Sequence, residues 1–466
     1  MLIASRAFLL LFFPISLIIY WLIARSPRQK LIVLLVLSLL FYAFAGKTFI
    51  FLLLFLSLST FWLAQRKNYL LGIVINLIAL GIFKYWGFGV DNLNRISNFI
   101  GLPTTIPLLD IALPLGISFY IFKHISYLLD VRANRYPASN KIFTFVTYTA
   151  FFPQITAGPL SNYSDSARQF DNLPAHLSLD QIYSGVLHIS SGLAKKVLIA
   201  DILRKSLDSG FYSHASTGSG IIWAWLSVLL FCFEIYFDFS GYTDFVIGIS
   251  QLFGISLPKN FDNPYLAVNI NQFWQRWHIS LSSWFRLYIY FPLSRGLIAR
   301  FSNKYRILPQ VIANLITMSL IGLWHGASWI FILWGFYHGM LLSIKAIANR
   351  AGIKIDYKIL GQGLTFISII FGWAIFMSPS LTNARTLFAN MFGLHGLGDI
   401  NVVLSTYDKY SITTLLIAIF ITITGYVEAK NIPRLRSYLY TFLWGVIFLL
   451  CVLQLGSRTE FMYMLY

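Results

Sequence analysis

The sequence has little charge, and few of its charges are acidic. Only 11% of its 466 residues are Asp, Glu, Lys or Arg, whereas an ordinary soluble domain has about 25%. Basic residues outnumber acidic ones by 35 to 17, which gives a formal net charge of +18. The largest polar stretches, 161–180 and 259–283, are short enough to be lateral or re-entrant segments. This composition excludes a soluble domain.

Cysteines, metal-binding patterns and internal repeats are also scarce. The two cysteines, Cys232 and Cys451, both lie in apolar runs, so we expect packing residues and no disulfide framework. Zinc requires three or four His, Cys or carboxylate ligands at matched spacing, and no HxH or HExxH pattern occurs. We therefore expect neither a metal site nor a bound cofactor. The absence of a repeat disfavours a transporter built from duplicated halves.

Apolar residues are abundant instead. The chain is 57% hydrophobic and 17% aromatic, with a mean hydropathy of +0.70. Apolar runs of the roughly 20 residues that span a bilayer recur from end to end. We predict an all-α polytopic membrane protein of about 11–13 transmembrane or re-entrant helices. Residues 1–466 are predicted to form a single domain, divided into N-terminal helices (1–130), a core (142–349) and C-terminal helices (360–466).

The basic residues alternate between rich and poor loops. Three loops are rich: Arg25, Arg28 and Lys30, then Arg66 and Lys67, then Arg132, Arg135 and Lys141. The two loops between them carry only Lys47 and Arg95. The positive-inside rule therefore predicts an N-terminus outside and residues 25–30 in the cytoplasm. We attribute the net charge to topology and to anionic lipid, and expect no nucleic-acid partner. Because the first 24 residues lack a small-residue cleavage site, we expect the first helix to be retained.

Three acidic residues interrupt an apolar run in "EIYFDFSGYTDF": Glu234, Asp238 and Asp244. Such residues mark ion pathways in some membrane proteins and pair with neighbouring basic residues in others. We favour pairing with Lys or Arg of adjacent segments, which would fix the fold.

A second polar group lies in "NQFWQRWHISLSSWFRLYIYFPL". If this segment is one helix, His278 and Ser282 share a face and Arg286 lies two turns from His278. An aromatic-rich segment that ends in basic residues is typical of an interfacial helix. That role does not require His278 beside Arg276 and before two serines, so the segment is a candidate site.

A third group lies in "LIGLWHGASWIFILWGFYHG", which places His325 and His338 in an apolar run. Hydrocarbon offers no water to a ring nitrogen, so each imidazole needs a partner, a cavity or a chemical role. Trp324 and Gly326 flank His325, and glycine permits close approach of a ligand or backbone. Asn314 precedes His325 by about three turns and could share its face.

His338 receives a different interpretation. It follows His325 by thirteen residues, which is about 220° around a straight helix. We therefore interpret it as a core residue with no need to share a site with His325.

A buried neutral imidazole has an evident chemical use. Burial disfavours the charged form of histidine. The neutral ring can accept a proton from an alcohol while the alcohol oxygen attacks an acyl carbon.

These segments resemble the signature segments of the membrane-bound O-acyltransferase superfamily, carried here by "FWQRWHISLSSWFRLYIYFPL" and "GLWHGASWIFILWGFYHG". More narrowly, the chain is similar to the bacterial polysaccharide O-acetylation branch, which includes the membrane components of alginate and peptidoglycan O-acetyltransferases. Further collinear matches are "LPLGISFYIF", "FFPQITAGPLSNYSD", "GLAKKVLIAD", "EIYFDFSGYTDF", "FDNPYL" and "GWAIFMSPSLTNA". Departures from the usual pattern occur at Gln275, Leu287 and Met377.

The resemblance implies a ring of helices around a central tunnel in the bacterial inner membrane. It implies that acetyl-CoA or another acyl thioester enters from the cytoplasm and a polysaccharide acceptor from the other side, with a periplasmic or extracellular partner protein completing transfer. It assigns catalytic roles to His325 and His278. The remaining residues that we expect to contact substrate are Arg276, Trp324, Asn314 and Ser282.

Two alternatives stay open. One is transfer of D-alanine to teichoic acid from a carrier-protein thioester. The other is a proton-coupled transporter that uses the acids of 234–244 together with His124.

Overall fold

A computed structural model describes residues 3, 5–102, 105–208, 220–301, 307–353, 357–399, 409–424 and 434–454. These residues contain helices and loops but no β-strand, so the predicted all-α class is confirmed. The chain forms two compact units, Met1–Val186 with Val246–Pro258, and Leu187–Phe245 with Lys259–Tyr466. The three-part division of the domain and the ring of helices stay predictions.

The first ten helices precede the candidate site. They are α1 Phe8–Ile23, α2 Pro27–Ala45, α3 Phe49–Gln65, α4 Tyr69–Phe99, α5 Ile117–Arg132, α6 Ile142–Ala150, α7 Tyr163–Asp171, α8 Leu179–Ala194, α9 Asp201–Asp208 and α10 Ile221–Leu252. A stretch of wider π-helical turns, Lys195–Ala200, joins α8 to α9.

The helices that follow carry the candidate site. They are α11 Ile270–Arg276, α12 Ile279–Phe285, α13 Phe291–Arg300, α14 Leu308–His325, α15 Trp329–Arg350, α16 Lys358–Met377, α17 Leu381–Met391, α18 Lys409–Thr424 and α19 Arg434–Gln454. In the described part of the chain, six helices are long and apolar enough to cross a bilayer: α2, α4, α10, α14, α15 and α16. Four shorter apolar helices accompany them, so the polytopic character is confirmed.

The segment "FFPQITAGPL" breaks the helical structure, and the break is enclosed by protein. Helix α6 ends at Ala150, and residues 151–160 are all buried. The Lys123 ammonium donates to the Tyr148 carbonyl (2.8 Å) and to Gln154 Oε1 (2.7 Å), and the Gln154 amide donates to the Pro159 carbonyl. Non-helical backbone survives at membrane depth only where such partners or a wet cavity exist.

The acidic residues of α10 are largely paired, as we favoured. Asp238 contacts Lys196 (2.7 Å) and Asp244 contacts Lys195 (2.7 Å). The backbones approach closely because Gly192 and Gly241 face each other: a Cβ on Gly192 would lie 2.5 Å from the Gly241 carbonyl oxygen. These ion pairs fix α10 against the α8–α9 segment.

The apolar run around His325 forms a helical hairpin, so the straight helix assumed for His338 is wrong. Helix α14 ends at His325 and α15 begins at Trp329, with Ser328 Oγ accepting from the Ile330 N–H (3.4 Å). The two helices touch through glycines. A Cβ on Gly335 would lie only 2.1 Å from the Met318 carbonyl oxygen. Small residues of this kind let membrane helices pack closely.

Candidate active site

The structure brings His278, Trp324 and His325 together. The Trp324 ring contacts both imidazoles, with centroid distances of 6.1 Å to His278 and 4.8 Å to His325. All three side chains are buried, at 1%, 5% and 4% exposure respectively. The two histidines that the sequence singled out therefore contact a common indole.

His278 does not lie on a continuous helix, which corrects the one-helix interpretation of its segment. Helix α11 ends at Arg276 and α12 begins at Ile279, while His278 has the left-handed backbone torsion φ of +43°. The first two N–H groups of α12 have no partner within the helix and donate to Asn260 instead. Ile279 donates to the Asn260 carbonyl (2.9 Å) and Ser280 to Asn260 Oδ1 (3.1 Å).

The His278 ring is held in an apolar environment. Its edge meets the Phe239 ring at 4.7 Å and 89°. His278 lies outside the six candidate membrane-spanning helices, and burial lowers the pKa of its imidazole well below the usual value. The ring is therefore neutral at physiological pH and can accept a proton or a hydrogen bond.

His325 terminates α14 and is surrounded by aromatic rings. Its ring meets Trp334 of α15 edge-on (5.1 Å, 88°) and Phe376 of α16 edge-on (5.4 Å, 82°). With Trp324, three aromatic rings therefore contact the imidazole. The position combines a proton-accepting group with a dry environment, in which electrostatic interactions are strengthened.

A cavity of about 510 Å³ is lined by residues of α11, α12, α14 and α15 and of the π-helical turns Arg286–Tyr290. Volumes of roughly 300–1,000 Å³ are typical of small-molecule sites. The lining mixes polar and apolar side chains, and the described residues that form it include no acidic side chain. Carboxamides are the commonest polar group among them, and Arg286 is the cation: Asn271, Gln275, Gln310, Asn314, Asn349 and Arg286.

Two of the expected substrate-contacting residues line this cavity. They are Asn314 and Ser282. Ser282 Oγ donates to the Trp277 carbonyl at 3.2 Å. Arg276 is half-buried, and its carbonyl accepts from the Asp262 N–H (3.0 Å), but it is not among the lining residues. Arg286, which the sequence placed two turns from His278, is the arginine that lines the cavity.

One face of α14 runs from the cavity to His325. Asn314, Thr317 and Ile321 of α14 all line the cavity. Eleven residues bring an α-helix round to within about 20° of its starting direction, so His325 follows Asn314 on that face, about 16 Å further along. The cavity lining ends one turn before His325.

His338 is the residue that sequence reasoning placed wrongly. The hairpin returns it to the site, where its ring lies 4.9 Å from that of Trp334, the same indole that contacts His325. Among the described residues, no group of three His, Cys, Asp or Glu side chains is placed to hold a metal ion.

Comparison with known proteins identifies the family. Residues 132–385 match the family model described as "MBOAT, membrane-bound O-acyltransferase family". The chain is 36% identical to the "Probable alginate O-acetylase AlgI" of Pseudomonas syringae pv. tomato, over 90% of this chain and 79% of that protein. It is 34% identical to the "Peptidoglycan O-acetyltransferase" of Helicobacter pylori, over 84% and 79% respectively.

A more distant similarity covers only part of the chain. The "Teichoic acid D-alanyltransferase" of Streptococcus thermophilus is 30% identical over 56% of this chain and 68% of that protein. The family model covers more than half of the chain, and the alginate and peptidoglycan relatives match over most of both lengths. The protein is therefore a multi-pass member of the membrane-bound O-acyltransferase family, and hence an O-acyltransferase.

Proposed function

We propose that the protein transfers an acetyl group from a cytoplasmic acyl thioester, such as acetyl-CoA, for O-acetylation of an extracytoplasmic polysaccharide. The functions named for its relatives, alginate O-acetylation and peptidoglycan O-acetylation, support this choice. The observation that carries it is that the buried His278 and His325 both contact Trp324, and that Trp324 and His325 end the helix whose face lines the cavity.

In this proposal, His325 is the general base. A neutral ring nitrogen takes the proton of the acceptor hydroxyl while the hydroxyl oxygen attacks the thioester carbonyl carbon. The new C–O bond forms, the C–S bond breaks, and the leaving sulfur receives the proton. The products are an ester and a thiol, so the reaction needs no oxidant, reductant or metal. His278 positions the donor or stabilises charge that develops on the carbonyl oxygen.

The cavity is proposed to hold the donor's thiol-bearing arm. Carboxamide side chains both donate and accept hydrogen bonds, so a lining rich in them suits an arm that itself contains amides. The guanidinium of Arg286 suits a phosphate, which it can bind in a bidentate manner. The thioester would then reach along the α14 face towards His325. We keep Arg276 and Trp324 as proposed contacts nearer the two histidines.

Substitution of His325 tests the mechanism. In purified protein that is correctly inserted in membranes, His325→Ala should lower acetyl transfer by about 10²–10⁴-fold, the range that general base catalysis supplies. Release of CoA thiol from acetyl-CoA and ester formation on the acceptor measure it. The matched control is His176→Ala, which removes an exposed histidine and should leave the rate unchanged. Wild-type acetylation by His325→Ala would refute the proposal.

D-alanyl transfer is the second candidate, because a teichoic acid D-alanyltransferase matches about half of the chain. It would use the same histidines with a carrier-protein thioester in place of acetyl-CoA. Purified protein offered acetyl-CoA and a D-alanyl carrier side by side separates the two. Consumption of the carrier thioester alone would replace acetyl with D-alanyl in the proposal.

A proton-coupled transporter is less well supported. Two of the three acids proposed for it are ion-paired with lysines. The His124 ring is bound by neutral groups on both nitrogens, Asn76 Oδ1 at Nδ1 (2.8 Å) and Ser57 Oγ at Nε2 (3.3 Å). Thioester consumption by proteoliposomes, without accumulation of unmodified solute, would exclude transport as the main role.

The cellular setting is also part of the proposal. We infer a multi-pass protein of the bacterial inner membrane with its N-terminus outside, because basic residues are concentrated in the loops at 25–30, 66–67 and 131–141. A periplasmic or extracellular partner protein would complete transfer to the polysaccharide. Such a partner would be expected to stimulate ester formation while leaving acetyl-CoA binding unchanged.

A further inference from the structure

We propose that His338 is a positioning residue for the acyl-transfer site, which fixes the Trp334 indole against the ring of His325. The inference rests on the function proposed above and adds a residue to its machinery. It departs from the sequence-based interpretation, in which rotation around a straight helix separated His338 from His325.

The hairpin supplies the first part of the argument. It places α14 and α15 side by side, with Gly335 against the Met318 carbonyl and Gly339 against Leu315. Without side chains at these glycines the two backbones lie close together, so Trp334 of α15 reaches His325 of α14. The contact is edge-on, with the ring centroids 5.1 Å apart. The orientation of Trp334 therefore determines the space available to the catalytic ring.

His338 is the next contact of Trp334. It lies one turn further along α15, and its ring meets Trp334 at 4.9 Å and 67°. It also meets Trp274 edge-on, at 5.2 Å and 89°, and Trp274 itself contacts Trp334 at 5.9 Å. Trp274 is a cavity-lining residue of α11. His338 thus packs against both a residue of the cavity wall and the indole that contacts His325.

Helix α16 closes the arrangement. A Cβ built on Gly372 would lie 2.6 Å from His338 Nε2, closer than real Cβ contacts, so the imidazole rests directly against the backbone of α16. The same helix supplies Phe376, whose ring contacts both His325 (5.4 Å) and Trp334 (5.2 Å). The backbone of α16 at Gly372 therefore prevents the His338 ring from moving towards that helix.

An imidazole is a costly choice for filling this space. His338 is 2% exposed, and its Nδ1 has no hydrogen-bond partner in the part of the chain that the structure describes. The same holds for the indole nitrogens of Trp274 and Trp334. A buried polar group that makes no hydrogen bond lowers the stability of the folded protein. An apolar side chain would fill the space without that cost, so packing alone does not account for the residue.

Two variants perturb the ring in opposite ways. His338→Ala removes it, and Gly372→Ala retains it but forces it out of place. In both, Trp334 loses the His338 contact while it keeps those with Trp274 and Phe376, and His325 should adopt a wider range of orientations. We expect kcat with acetyl-CoA, per folded molecule, to fall by about 10- to 100-fold, the cost of misplacing a reacting group by an ångström. The KM for acetyl-CoA should change little, because the cavity lining is retained.

A readout independent of turnover is the reactivity of His325 itself. Diethyl pyrocarbonate acylates accessible neutral imidazoles, and peptide mass spectrometry of the full-length protein in detergent locates the product. The rate at His325 should rise severalfold in both variants. Matched controls are Phe336→Ala, which truncates an exposed ring of α15, and Gly363→Ala, which adds a methyl group to α16 where nothing lies within 4 Å. Neither should alter the rate.

The double variant completes the test. With the imidazole gone, the added methyl group at position 372 has room, so His338→Ala/Gly372→Ala should match His338→Ala alone in kcat and in His325 reactivity. An unchanged reactivity of His325 in both single variants would overturn the inference, whatever happens to kcat. If reactivity rises but the wild-type protein does not consume acetyl-CoA, the proposed donor fails and the positioning role of His338 stands.

Discussion

At the scale of single residues, the backbone conformation of His278 and the chemistry of its side chain can be tested separately. Its φ of +43° lies in the left-handed region, which costs residues other than glycine about 1–2 kcal/mol. Both His278→Gly and His278→Ala remove the proposed catalytic ring, so both should lose activity. Only glycine relieves the backbone. We therefore expect His278→Gly to melt at a higher temperature than His278→Ala in detergent.

The neighbouring residue is the control for this comparison. Ile279 is the first residue of α12 and has helical backbone torsions, where alanine is favoured over glycine by about 1 kcal/mol. The order of the two variants should therefore reverse at position 279. If alanine is also the more stable substitution at position 278, the left-handed conformation of His278 is not what the protein adopts.

Only some features of the candidate site could be predicted from the sequence. Burial of His278 and His325 followed from their apolar surroundings, and the pairing of Asp238 and Asp244 with lysines followed from the cost of charge in a membrane. The contact of both imidazoles with Trp324 could not be predicted in this way. The two segments are separated by about fifty residues, and only the folded chain brings them together.

At the scale of helices, two breaks differ from the continuous helices that were predicted, for different reasons. The break after His325 has a local signal in the sequence: Gly326 follows the last helical residue and Ser328 caps the next helix. The break at His278 carries none. The N–H groups of Ile279 and Ser280, which follow this break, donate to Asn260, a residue far from them along the chain. No local sequence pattern could therefore have predicted the break.

The hairpin itself gives a prediction at this scale. Gly335→Ala should separate α14 from α15, because the new methyl group would lie 2.1 Å from the Met318 carbonyl oxygen. Overpacking of this kind costs about 1–3 kcal/mol, and we expect a lower melting temperature together with loss of the Trp334–His325 contact. Gly363→Ala adds the same group in open space and should keep or raise the melting temperature. Equal behaviour of the two variants would contradict the packing.

At the scale of the whole molecule, the membrane topology depends on the alternation of basic loops. That alternation is clear only as far as the loop at 131–141. The structure of the first unit extends it. Gln65 donates to the Ser139 carbonyl (2.9 Å), which joins the second basic loop to the third. The buried Lys30 ammonium donates to the carbonyls of Pro174 (2.6 Å) and Ala175 (3.0 Å), so the loop around residue 176 lies on the same side as residues 25–30.

Cysteine labelling tests this topology with little background, because Cys232 and Cys451 are both buried. Single cysteines are placed at exposed positions: Arg28→Cys, Arg66→Cys, Thr105→Cys and His176→Cys. A membrane-impermeant maleimide should label position 105 in intact cells. Positions 28, 66 and 176 should be labelled only after permeabilisation, because Lys and Arg are retained on the cytoplasmic side. A reversal at all four positions would invert the membrane orientation. Labelling at 176 without labelling at 28 would instead contradict the Lys30 contacts, since a loop held to one surface by a buried ammonium cannot be exposed on the other.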